Sequence, residues 1–198
     1  MAISYPLDMP TTIGIEQIEL RAVNAVAISS SPFTYKQQII SHGGQRWEAS
    51  VTIPSVRRDL AGAWKAMLVA LKGQTGTFYL GDPDYATPRG TVSACTLTGD
   101  AGDETVSVTM TGTLLAGDYI QLGSTADGTA KLHQVLEDQS GSGSLEIWPK
   151  LRNTYSGATV TFNNPKGVFR LAQNVTSWSI NNASFYGISF EAVEAITG

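Results

Sequence analysis

Residues 57–83 read RRDLAGAWKAMLVALKGQTGTFYLGDP, and the fold turns on this stretch. Leu60, Trp64, Met67, Leu68 and Leu71 recur at i, i+4, i+7, i+8 and i+11, which lines one face of a helix. Asp59 falls in the first turn, where the helix dipole favours a carboxylate, and Gly73 follows the last apolar residue as a candidate C-cap. Thr77, Phe78, Tyr79 and Leu80 then read as a short strand stopped by the turn Gly81-Asp82-Pro83. Every other patterned stretch reads as strand. A lone helix among strands must lay its apolar stripe on a sheet, because nothing else can cover it.

Working upstream, residues 45–54 (QRWEASVTIP) alternate cleanly. Trp47, Ala49, Val51 and Ile53 share one face, and Arg46, Glu48, Ser50 and Thr52 the other. With residues 33–41 (FTYKQQIIS) and the turn His42-Gly43-Gly44 between them, the pattern predicts a long hairpin with one wet or partner-facing side. Tyr35, Gln37, Arg46 and Glu48 are its candidate contact residues. In residues 13–29 the apolar set changes parity between Ile15 and Ile18, which predicts a bulge or two short strands. Residues 1–12 carry two prolines and no period, and read as a lead-in arm.

Downstream of Pro83 the texture is short strands and small-residue turns. The expected strands are 105–111, 118–122, 131–136, 144–148 and 159–162, a spacing that suits a small barrel or sandwich. Residues 167–172 and 177–193 close the chain as further strands. The economical division is a discontinuous domain, 1–85 with 166–198, into which 86–165 is inserted as a small β domain. Such an insert is expected to fold on its own core and to be removable.

At 198 residues, with 42% apolar and 15% charged residues and 20 glycines, the chain suits a turn-rich β protein with a real core. A net charge of −4 and the absence of any basic run disfavour gripping nucleic acid. The single cysteine, Cys95, excludes an internal disulfide, and no apolar run reaches membrane-spanning length. MAISYPLDMP has neither the basic nor the apolar region of a signal peptide, so the expectation is a soluble protein made in the cytoplasm.

Chemistry-bearing patterns are sparse. His42 and His133 form no local zinc motif, and Cys95 has no CxxC partner and reads as a small buried filler. Asp82 and Asp84 flank a proline, and aspartate there bonds its own backbone in a turn. Asp118 and Glu146 are the carboxylates a sugar hydrolase would need, without a supporting motif. Trp148, beside Pro149 and near Tyr155, is the one aromatic cluster kept as a ligand candidate. No catalytic, cofactor or metal residue is assigned.

The helix with its TGTFYLGDP ending, followed by AGDYIQLG (116–123), KLHQVLED (131–138), LEIWPKLR (145–152) and NPKGVFRLA (164–172), resembles distal tail and minor tail proteins of long-tailed bacteriophages and related gene transfer agents. With YPLDMP (5–10), Trp178 and Phe190, the resemblance covers nearly the whole chain. It implies a mainly β, tail-tube-like sandwich or split barrel with one flanking helix and an inserted, outward-facing small β-barrel or sandwich. It further implies a homo-oligomeric ring, expected as a hexamer, in the virion tail. There the ring would join the tail tube to other tail-tip proteins and let DNA pass without specific binding. No enzymatic activity, cofactor, metal or membrane is expected. The competing expectation is a carbohydrate-binding module that holds host glycan through the insert at Trp148 and Tyr155.

Overall fold

The computed structural model describes residues 3–196. Its elements open with β1 (Gln17–Ser30), β2 (Gln37–Arg57), α1 (Arg58–Ala70) and β3 (Thr77–Leu80). A central run follows: β4 (Ala94–Gly99), β5 (Thr105–Thr111), β6 (Thr113–Leu114), β7 (Tyr119–Leu122), β8 (Lys131–Val135), β9 (Gln139–Ser140), β10 (Gly143–Trp148) and β11 (Tyr155–Thr159). The chain closes with β12 (Gly167–Leu171), β13 (Trp178–Ile180) and β14 (Phe185–Glu194). Strands take up 49% of the structure and α1 is the single helix among the described residues, so the protein is mainly β.

The first sheet runs β1-β2-β14-β12-β3, with β13 also paired to β14. The second runs β11-β4-β5-β10-β8-β7, and β6 pairs β9 apart from both. Every strand of the second sheet comes from the continuous stretch between β3 and β12. Those two flanking strands pair antiparallel, Leu80 opposite Gly167 and Phe78 opposite Phe169, so the chain leaves and re-enters the first sheet at one place. The second sheet also meets itself. Gln121 of β7 forms a bridge with Thr161, just beyond β11, through N–H···O bonds of 2.7 and 2.9 Å. This curls the sheet so that its last strand, β7, meets the segment after its first, β11, at one point.

Helix α1 packs on β2 and β14. Trp47, Ala49, Val51 and Ile53 of β2 are buried, as their alternation predicts, in one core with Trp64, Met67, Leu68 and Leu71 from the helix and its end. Ala61, not Leu60, completes the helix face: Leu60 is 38% exposed and Ala61 fully buried. The small side chain lets the first turn approach the sheet. After Leu71, Lys72 takes the left-handed conformation (φ 51°) ahead of Gly73 (φ 67°). The lead-in is pinned too. Leu7 exchanges backbone bonds of 2.8 and 3.0 Å with Thr77 and Tyr79, which covers part of the β3 edge.

The hairpin expected within residues 33–54 is corrected by the structure. β2 is one strand through His42-Gly43-Gly44, and its hairpin partner is β1, joined by a turn over residues 31–36. Residues 42–44 form a bulge opposite Ala25, where the register shifts between Asn24 and Val26. Gly43 supplies the positive φ (67°) that a bulge needs as much as a tight turn does. The bulge or strand break expected at the parity change in residues 13–29 is not found there: Gln17 to Asn24 pair with β2 in unbroken register within one strand, and the irregularity farther along has its extra residues on β2. The strand expected at 159–162 lies earlier, as β11, and β4, β6 and β9 were not anticipated.

The two sheets meet over a wide, bonded junction. Leu132 belongs to the core under α1, and Tyr119 and Trp148 pack against that core. Trp47 donates its indole N–H to Leu132 O (3.0 Å), and its ring meets Trp148 edge-on at 4.5 Å. Arg152 reaches the nearly buried Glu194 at 2.8 Å, and Glu194 also accepts the Trp47 N–H (3.1 Å). Lys131 donates to Ala195 O (2.9 Å), and burial lowers its pKa. The central run therefore has its own core, but it does not stand apart from the first sheet.

Candidate functional site

Beyond the bulge, β1 and β2 leave the sheet as a two-stranded arm. β14 pairs with β2 only from Glu48 to Arg57, so between positions 37 and 47 the sole strand partner of β2 is β1. Within the arm Ile28 lies opposite Ile39 and Val26 opposite Ser41, all four exposed. Ser31 accepts the Tyr35 N–H (2.9 Å) at the tip, which leaves Phe33 92% and Tyr35 82% exposed. Lys36 is the one charged residue between positions 26 and 41. An apolar ribbon with open edges is not stable alone in water, and monomeric proteins rarely display one.

The root of the arm is clamped by the second sheet. Trp148 donates its indole N–H to Asn24 Oδ1 (2.9 Å). Gln45 accepts the Lys150 N–H at its side-chain oxygen (2.7 Å) and an Arg152 N–H at its backbone oxygen (2.6 Å). Its amide N–H₂ donates to Glu104 (2.7 Å). The free part of the arm begins where these bonds stop.

Of the expected contact residues, Tyr35 sits at the tip and Gln37 opens β2, both exposed on the arm. Arg46 and Glu48 lie on the body side of the bulge and pair with each other at 2.5 Å. The structure thus splits this set between arm and body. Trp148 and Tyr155 are separated as well. They lie on β10 and β11, which are three strand spacings apart in the sheet order, roughly 14 Å along it. Trp148 packs at the junction with Trp47, while Tyr155 packs on the rim of the other core. Tyr155 faces a cleft of about 660 Å³, bounded by the β7–β8 loop on one side and β11 with residues 161–166 on the other.

The remaining polar candidates serve packing. Asp118 is fully buried and accepts backbone N–H groups of Arg89 (3.0 Å) and Leu115 (2.9 Å), with the Arg89 guanidinium at 3.5 Å. Glu146 accepts the Thr105 hydroxyl on the neighbouring strand. Asp82 accepts the Asp84 N–H (3.0 Å), the turn bond its sequence suggests. Cys95 is buried, and burial pushes its thiol up to about 11, far from a reactive thiolate. His133 is fully buried, and its Nδ1 donates to Pro149 O (2.7 Å). Burial lowers its pKa to about 4. Among the described residues no three His, Cys, Asp or Glu side chains converge as a metal site would require.

Sequence reasoning missed Asn24, Gln45, Arg152 and Glu194 at the clamp. Long-range pairs such as Arg152 with Glu194 leave no local signal. Arg152 lies in the loop after β10, two residues from Lys150, and Glu194 lies three residues from Glu191, so neither stands out as a lone charge in an apolar run. No helix among the described residues is long and apolar enough to cross a membrane. No model of a known protein family matches this chain, and no curated protein matches it.

Proposed function

We propose that the chain is a ring-forming structural subunit of a bacteriophage tail tip, a distal tail or hub protein. In this reading it joins the tail tube to the tip and forms part of the channel through which DNA leaves. The observation that carries the proposal is the exposed arm, with apolar side chains, a single charge at Lys36 and two open edges, and its occupant is a second copy of this chain. A second exposed apolar set, Val175, Trp178 and Ile180, lies on and before β13, away from the arm in sequence and in strand order. Two different patches on one subunit suit a head-to-tail contact, the kind that closes into a ring. The tail-protein resemblance adds the tail-tube-like fold and the hexamer as expectations. A net charge of −4 suits a channel that must release a polyanion rather than hold it.

The test is solution mass across a concentration series, followed by imaging of assembled tails. The wild type should form a closed oligomer, alone or with its tail neighbours. A Phe33→Asp/Ile39→Asp variant should stay monomeric with an unchanged far-UV spectrum, because both positions are exposed. A wild type that stays monomeric and is found in tails as a solitary peripheral subunit would refute the proposal.

A further inference from the structure

The Trp148–Tyr155 pair does not exist as a platform, but the cleft beside Tyr155 has the chemistry of a binding site in its own right. It lies between the β7–β8 loop and β11, and its volume of about 660 Å³ is within the usual range for small-ligand sites. Around one half-buried aromatic ring it gathers Asp8, Asp127, Thr159, Asn163 and Lys166. Gln121 is held in place there, its side-chain oxygen accepting the Lys166 N–H at 2.9 Å. By contrast, no hydrogen bond or ion pair among the described residues engages the side chains of Asp8, Asp127, Thr159, Asn163 or Lys166. Carboxylate, amide, hydroxyl and ammonium groups are thus all free to face one space.

We infer that this cleft binds an uncharged or amino-bearing oligosaccharide. Vicinal hydroxyls on a sugar ring both donate and accept hydrogen bonds. They are therefore matched by acceptor-only carboxylates beside amides and hydroxyls that do both. The C–H face of a sugar packs on an aromatic ring, and Tyr155 is the only aromatic residue lining the cleft. The sign of the local field narrows the class. After burial itself, Asp8 and Asp127 are the groups that raise the pKa of Tyr79, so both carboxylates act on the same neighbourhood. Two carboxylates against the single Lys166 disfavour uronic, sialic and phosphorylated sugars. They equally disfavour a nucleic acid strand. The inference does not depend on ring formation, since none of these residues lies on the arm or β13.

The experiment uses the full chain on an array of microbial surface oligosaccharides that are uncharged, amino-bearing or acidic. Titration calorimetry on the strongest binder follows, with wild type, Asp127→Ala, Asn163→Ala, Tyr155→Ala and Trp148→Phe. Binding should be confined to the first two classes. Asp127→Ala and Asn163→Ala should each weaken it roughly tenfold, the loss expected for a hydrogen-bonded pair, and Tyr155→Ala at least as much. Trp148→Phe should leave affinity unchanged. Asp127 and Asn163 are exposed, so their variants keep the test valid even if Tyr155→Ala disturbs the core. No binding at millimolar sugar, a preference for acidic glycans, or affinity indifferent to Asp127→Ala and Asn163→Ala would each overturn the inference. Oligomer mass measured on the same variants should not change, which separates this result from the fate of the ring proposal.

Discussion

Breaking the Arg152–Glu194 pair from one side should weaken the protein nearly as much as removing both partners. The pair joins β14 of the first sheet to the segment after β10 in the second, with side chains only 11% and 2% exposed. Removing one member of a buried ion pair costs about 3–5 kcal/mol, because a charge is left without compensation. The surviving bonds favour the lower end here. In Arg152→Met, Glu194 still accepts the Trp47 N–H at 3.1 Å. In Glu194→Gln, the guanidinium still reaches Gln45 O at 2.6 Å. Each single change is therefore expected to cost about 3 kcal/mol. The double variant should fall short of the sum by about 2 kcal/mol, the coupling typical of residues in one network. For a chain of this length, 3 kcal/mol corresponds to a fall in Tm of roughly 6–12 °C. Urea unfolding should be followed by tryptophan fluorescence, to which the neighbouring Trp47 and Trp148 contribute, and by far-UV circular dichroism. Single-variant losses below about 1 kcal/mol, or strictly additive ones, would mean that the two sheets are not held together by this pair.

Three further outcomes follow from the packing. Trp64→Ala should cost roughly 3–5 kcal/mol in the same assay, since the indole is fully buried between α1 and Phe190; a loss under about 1 kcal/mol would place that face at an interface instead. His133, whose pKa falls from 6.5 to about 4 on burial, is faced by Pro149 O and by the charges of Glu194, Arg152 and Lys131. The unfolded chain binds its proton more tightly, so stability is full above about pH 6.5 and falls by up to about 3 kcal/mol as pH drops towards 4. His133→Gln should flatten that part of the profile, and equal slopes in both proteins would refute the assignment. Replacing residues 86–165 with a short linker should leave a foldable first sheet, because Leu80 and Gly167 are already paired. It should also be a weakened one, since Trp47 loses its cover; a chain with no β spectrum would show that the two sheets fold only as one unit.

The sequence reveals the fold wherever a local period and a local partner coincide. Helix α1 shows both, and so does the buried face of β2. The hairpin was misread because Gly43-Gly44 supplies the same backbone freedom to a turn and to a bulge. Only the distant β1 decides which is used, and its register with β2 is invisible in either run alone. Leu60 illustrates a finer limit. Apolar spacing defines a stripe, but the rotation of the helix depends on which small residue lets it approach the sheet, here Ala61. β4 escaped notice because its alternation is carried by Cys95 and Leu97 among alanine and threonine, a weak contrast for a strand whose two apolar residues are both buried.

The candidate sites were less legible, for a reason of topology rather than chemistry. Seven positions separate Trp148 from Tyr155, yet β5 and β4 lie between their strands, so closeness in sequence became distance across the sheet. The reverse holds at the cleft. Asp8, Asp127 and Asn163 are far apart in the chain and meet because the lead-in is pinned along β3, while the bridge between Gln121 and Thr161 draws β7 and the segment after β11 together. Each of these residues alone reads as an ordinary turn or loop residue. The arm is the intermediate case. Its apolar residues are scattered among serines, glutamines and Lys36, and the stretch reads in sequence as part of a hairpin with one wet or partner-facing side. Only the point at which β14 ceases to pair, at Glu48, leaves the segment uncovered and its apolar side chains exposed.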